Sequence, residues 1–146
     1  MATEILINDG GAPARIMNLG NAGAAISAGT FVDIDSNGKI QASTADQEAS
    51  SSGQVGHLGV LLVDAASGAP TSVITGKGIV CNVLGAEAMS TVGTQITVND
   101  AGKAEPTADA DAHRTVGITL AASFTGTAAD GSSVAHMVKV LLIKVI

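Results

Sequence analysis

Few residues in this chain have the types and spacing for chemistry, and the sharpest set is Asp33-Ile34-Asp35-Ser36-Asn37-Gly38. It matches the D-x-D-x-N-G opening of a calcium loop, whose side-chain oxygens need that spacing to converge on one ion. Such loops close with a bidentate glutamate at about the twelfth position, where this chain has Thr44. A solvated hairpin tip accounts for Asp33, Asp35 and Asn37 without any ion. Gly76-Lys77-Gly78 carries a fragment of a phosphate loop, but Thr71 stands where that motif needs glycine and Gly78 where it needs Ser or Thr. It reads as a hairpin turn.

His57, His113 and His136 are isolated from one another, with no second metal ligand two, three or four residues further along the chain. A metal site would have to be assembled from distant segments or across a symmetry axis. There is no G-x-S-x-G nucleophile elbow. Asp109 and Asp111 lie in a polar loop, which holds catalytic geometry poorly. Cys81 is the only cysteine, flanked by Val80 and Val83, and reads as a small buried thiol. No constellation for an enzyme emerges, and no cofactor or metal is expected.

The element that must position the Asp33 motif occurs twice. Residues 29–39, GTFVDIDSNGK, return 64 residues later as residues 93–103, GTQITVNDAGK, with no insertion. Each copy reads as strand, tight turn and returning strand, with Val32 and Ile34, or Ile96 and Val98, on one face. Asn37-Gly38 alone suits a two-residue type I′ turn, but Ala101 replaces Asn37 in the second copy and resists positive φ. The geometry open to both is a type I turn followed by a left-handed glycine, Gly38 or Gly102. The second copy has Thr97, Asn99 and Ala101 at the would-be ligand positions, so carboxylates are not a property of the unit. A further matched pair follows each hairpin: His57 to Leu62, and Thr115 to Leu120. Two such copies imply one pseudo-symmetric domain, with repeats over about 24–84 and 85–146, and no solenoid.

Composition agrees with an all-β class. With 18 glycines, no Trp or Tyr, and Phe31 and Phe124 as the only aromatics, the core must be Val, Ile, Leu and Ala packed in short strands. The net charge is −6 and the seven Lys and Arg are scattered, which argues against nucleic acid as a partner. The apolar run ending at residue 146 is broken by Lys144 and is too short to span a bilayer, so no membrane partner is expected. The opening MATEILINDG lacks the basic start and apolar run of a secretory signal.

Residues 1–22 stand outside the repeat. Ile5, Leu6 and Ile7 form one apolar piece, and Arg15, Ile16 and Met17 border a second; turn residues separate them. Two readings are open: an extended arm whose anchors contact a neighbouring subunit, or two edge strands of the domain occupying residues 23–146. Residues 42–53 read as an exposed loop. Residues 71–75 and 79–83 read as a strand pair, and residues 84–89 as a link with one helical turn. Residues 135–146, nearly all apolar, suit a strand covered on both faces, central to a sandwich or barrel or laid into a subunit contact.

The doubled pattern resembles the decoration, or cement, proteins of tailed-bacteriophage capsids. The resemblance rests on Ala28-Gly29-Thr30, Asn37-Gly38-Lys39, Leu58-Gly59-Val60, Ala65-Ala66-Ser67-Gly68, residues 73–78, Gly93-Thr94, Ala101-Gly102-Lys103 and Val116-Gly117-Ile118. It implies a compact β-sandwich or barrel, jelly-roll or β-tulip-like. It also implies a chain made in the host bacterial cytoplasm that binds the outer surface of an expanded capsid. Its partners would be the major capsid protein and itself, as a homo-oligomer, commonly a trimer. A receptor-binding or fibre module is the alternative, although the absence of Trp and Tyr removes the usual sugar-stacking platform.

Overall fold

The structure, a computed structural model, describes residues 1–7, 11–44, 57–107 and 115–143. The described residues hold no helix, and eleven strands form two antiparallel sheets. The strands are β1 (Arg15–Met17), β2 (Phe31–Ile34), β3 (Ile40–Ala42), β4 (Gly59–Leu61), β5 (Val73–Thr75), β6 (Val80–Leu84), β7 (Gln95–Val98), β8 (Ala104–Pro106), β9 (Gly117–Thr119), β10 (Phe124–Thr127) and β11 (Ser133–Leu142). The first sheet runs β1-β5-β4-β2-β3, and the second runs β10-β11-β9-β7-β8 with β6 added to β11. Strands β2 to β5 all stay in one sheet, so the chain does not alternate between sheets as a jelly roll does. Residues 84–89 make no helical turn: Gly85 is bridged to Ala104 instead, and the backbone N–H of Gly85 bonds to the His136 carbonyl (2.9 Å).

Matching positions recur in the two hairpins. Gly38 and Gly102 both take positive φ, 76° and 73°, as the shared turn geometry requires. In the first, the Asp35 N–H donates to the Lys39 carbonyl (2.8 Å) and the Gly38 N–H to the Asp35 carbonyl (3.1 Å). In the second, Asn99 to Lys103 (2.9 Å) and Gly102 to Asn99 (3.1 Å) repeat the pair. Gly59 and Gly117 also correspond, and a Cβ at either would run into a carbonyl of the adjacent strand, Ile74 or Leu141.

The register places Phe31, Val60, Ile74 and Ile16 in one row across the first sheet, and Gln95, Ile118, Leu141 and Val80 in the corresponding row of the second. These rows face differently. Phe31, Val60 and Ile74 point into the main core, which they share with Ile96, Val98, Val138 and Val140 of the second sheet. Val32, Ile40, Leu61 and Val73 lie on the other face of the first sheet, under Ala22, Ile26 and Ala65. Val32 and Ile34 share one face of β2, as alternation requires, but only Val32 lies under that cover and is fully buried; Ile34, at the strand end, is 45% exposed. Asp33, between them, is buried. In the second hairpin Ile96 and Val98 are both buried, as alternation predicts. Strand β11 is central: Val140 pairs with Thr119 on one side and Cys81 on the other.

The N-terminal residues lie along the body. The Asn82 N–H donates to the Ile5 carbonyl (2.7 Å) and the Ile7 N–H to the Val80 carbonyl (3.2 Å), so residues 5–7 extend the second sheet beyond β6. Thr3 meets the end of β10: its N–H donates to the Thr127 carbonyl (2.8 Å), and its Oγ1 accepts from the Thr127 N–H (2.8 Å). Strand β1 forms the outer edge of the first sheet.

Candidate functional site

The motif residues do not converge. Asp35 turns its Oδ1 back on its own hairpin, accepting from the backbone N–H groups of Asn37 and Lys39, both at 2.8 Å. Asn99 does the same in the second hairpin, accepting from Ala101 (2.9 Å) and Lys103 (3.0 Å). A neutral amide does this work equally well, so the carboxylate at position 35 is explained by turn capping. Asp33 points the other way, into the protein, and is 2% exposed. Neither of its carboxylate oxygens has a hydrogen-bond partner. Burial raises its pKa above the ordinary carboxylate value, outweighing the opposing influence of Gln41, His57 and Ser43 nearby. His57 is buried beside it, its Nδ1 2.8 Å from the Ser43 hydroxyl and its ring edge-on to Phe31. Sequence reasoning placed none of these polar groups inside the protein. The only hint was the odd position of a carboxylate within a β-branched strand.

Cys81 is fully buried, and burial pushes its thiol up to about 12. Gly76-Lys77-Gly78 is the turn joining β5 to β6, with both glycines at positive φ. His136 lines a shallow recess of about 220 Å³ with Lys103, Leu84 and Val134. Asp109, Asp111 and His113 lie outside the described residues, as does most of the loop expected over residues 42–53. Among the described residues, no three His, Cys, Asp or Glu side chains gather as a metal site would need.

The six residues expected to contact a neighbour are split by the fold. Ile5 is 7% exposed and belongs to the protein's own main core, and Leu6 packs against that core. Ile7 is half-buried beside β6. Arg15, Ile16 and Met17 are all exposed along β1. Exposed apolar side chains elsewhere are scattered, with Val63 and Val92 in loops, Ile34 at the end of β2 and Phe124 at the start of β10.

No family model matches the chain, and no curated protein matches it. The fold does have a match among solved structures: the N-terminal base of the head fibre protein gp8.5 of bacteriophage phi29. The two align with a TM-score of 0.57 at 14% identity, over 91% of this chain and 97% of that one.

Proposed function

We propose that this chain is a structural component of a tailed-bacteriophage virion, seated on the outside of the head and bound to the major capsid protein. The observation that carries this reading is the shared fold, over nearly the full length of both chains, with the base of a phage head fibre. The glycine-spaced motifs that resemble capsid decoration proteins support it independently. In this role the protein cements neighbouring capsid subunits against the pressure of packaged DNA, as a homo-oligomer, a trimer in the resemblance. Many copies on one shell let modest single contacts hold by multivalency. A net charge of −6 keeps an exterior protein soluble and away from DNA. The role requires no reaction, cofactor, nucleic acid or membrane.

A second reading is favoured by the fold match itself. The chain would then be the foot of a fibre projecting from the head, with receptor binding carried further out. Quantitative mass spectrometry of purified virions, combined with heating of virions that lack the protein, separates the two. Cement requires a fixed ratio to the major capsid protein and early DNA loss when it is missing. A fibre foot gives a sparse protein, an unaltered shell and weaker adsorption to cells. Absence from virions overturns both.

A further inference from the structure

We infer that the outer edge of β1 accepts an extended strand from a partner polypeptide, one that carries carboxylates at the end facing Arg15. In naming the capsid shell as the source of that strand, the inference rests on the function proposed above.

The ladder determines which groups are free. The Leu62 N–H donates to the Ser72 carbonyl (2.8 Å), which makes Val60 and Ile74 the next mutually bonded pair between β4 and β5. Ile74 therefore directs its N–H and C=O toward β4. Its partner in β1 is Ile16, whose own N–H and C=O must point away from the sheet. Among the described residues nothing bonds to them.

Other outer strands are met by another segment. At β3, Ile40 donates to the Asn21 carbonyl (2.9 Å) and accepts from the Gly23 N–H (2.9 Å). At β8, the Ala104 carbonyl accepts from Ala86 (2.8 Å), and Pro106 has no N–H to leave unpaired. Thr3 meets β10. The most telling comparison is β6, which holds the place in the second sheet that β1 holds in the first. Val80 occupies the row position of Ile16, and its carbonyl accepts from Ile7 of the added segment. With that segment present Val80 is 3% exposed, whereas Ile16 is 48% exposed. One site is filled from within the chain by a short apolar segment, and among the described residues its counterpart is open. The edge is short and carries Arg15, but it has no proline or bulge, and Ile16 offers its N–H and C=O to an added strand.

Charge identifies the occupant. Arg15 lies opposite Thr75, where the Gly76-Lys77-Gly78 turn begins, so two exposed cations stand at one end of the open edge. No ion pair to either occurs among the described residues. In a chain of net charge −6, this end favours an acidic strand. Self-pairing of two β1 strands, antiparallel about Ile16, would put Arg15 against Met17 and leave the cations unmatched.

Short amidated peptides of alternating valine and threonine test this, with glutamates or lysines at the end that faces Arg15, and a third form N-methylated at its centre. The readout is amide hydrogen exchange at Ile16 by NMR. The acidic peptide should slow it about tenfold while the lysine and N-methylated peptides leave it unchanged. Ile16→Pro removes the outward N–H while Arg15 and Met17 keep the ladder to β5; in that variant the readout is the peptide-induced shift of the Met17 amide, present in the parent protein, which should vanish. Should that variant not fold, Arg15→Glu, at an exposed side chain, should shift preference toward the lysine peptide. No protection by any peptide, equal protection by both charges, or a dimer in sedimentation that is lost on Arg15→Glu would each overturn the inference. None of these outcomes depends on whether the protein is found in virions, so the two proposals fail separately.

Discussion

Phe31 donates its backbone N–H to the carbonyl of Gly102 at 2.9 Å, which ties β2 of one sheet to the hairpin tip of the other. The approach is close: a Cβ on Gly102 would sit 2.6 Å from Thr30 Cγ2 and 2.7 Å from the Phe31 oxygen. Gly38, its counterpart, has the same left-handed φ but nothing within 4 Å. The two glycines therefore make a matched pair of experiments. Gly38→Ala should cost about 1 kcal/mol from backbone strain alone. Gly102→Ala should cost about 3 kcal/mol or more, because the tie between sheets must also part. Urea denaturation of the two variants measures the difference, and equal losses would remove the tie from the account.

Asp33 should make the protein more stable in mild acid than its other carboxylates would suggest. Its folded-state pKa lies above the unfolded value of 3.8, so ionisation works against folding. That penalty is absent below pH 3.8, grows as pH rises through the raised folded pKa, and is fully present above it. Asp33→Asn removes the charge at nearly constant volume. It should raise stability at neutral pH and flatten this part of the pH profile. Chemical denaturation of both proteins across the acidic range checks the sign.

Cys81 should be silent to thiol reagents until the sandwich opens. With the thiol pushed up to about 12 and no exposed surface, almost no thiolate is presented at neutral pH. Labelling by a disulfide reagent should track the global unfolding transition in urea. Rapid native-state labelling would mean that the β6–β11 seam opens locally.

Ile5 and Ile16 should differ sharply in their response to truncation. Ile5→Ala empties part of the main core and should cost about 2–4 kcal/mol. Ile16→Ala, at a half-exposed edge, should stay within about 0.5 kcal/mol. Thermal melts of the isolated protein are sufficient. A large loss at Ile16 would show that β1 is part of the stabilising body, with little freedom left for docking.

Much of the architecture was legible before any coordinates. The left-handed glycines followed from comparing Asn37 with Ala101, since one turn type had to serve both copies. The largely apolar run over residues 135–146 suited either a central strand or one laid into a subunit contact, and the structure places β11 between β6 and β9. Asp33, Asp35 and Asn37 could be doubted as ligands because the second copy lacks the carboxylates. The inward turn of Asp33 could not be read: alternation assigns residues to two faces but does not say which face is covered.

The sequence alone determined the local chemistry of this protein: where strands begin, where they reverse, and which glycines must carry positive φ. Those properties depend on steric limits within a few residues. The tertiary structure decided the rest. It set which face of each sheet meets the shared core, and it enlisted Ile5 in that core while leaving Ile16 at an open edge. Such outcomes depend on pairing between segments distant in the chain, where the backbone groups of every strand are chemically alike and only the whole packing selects among partners.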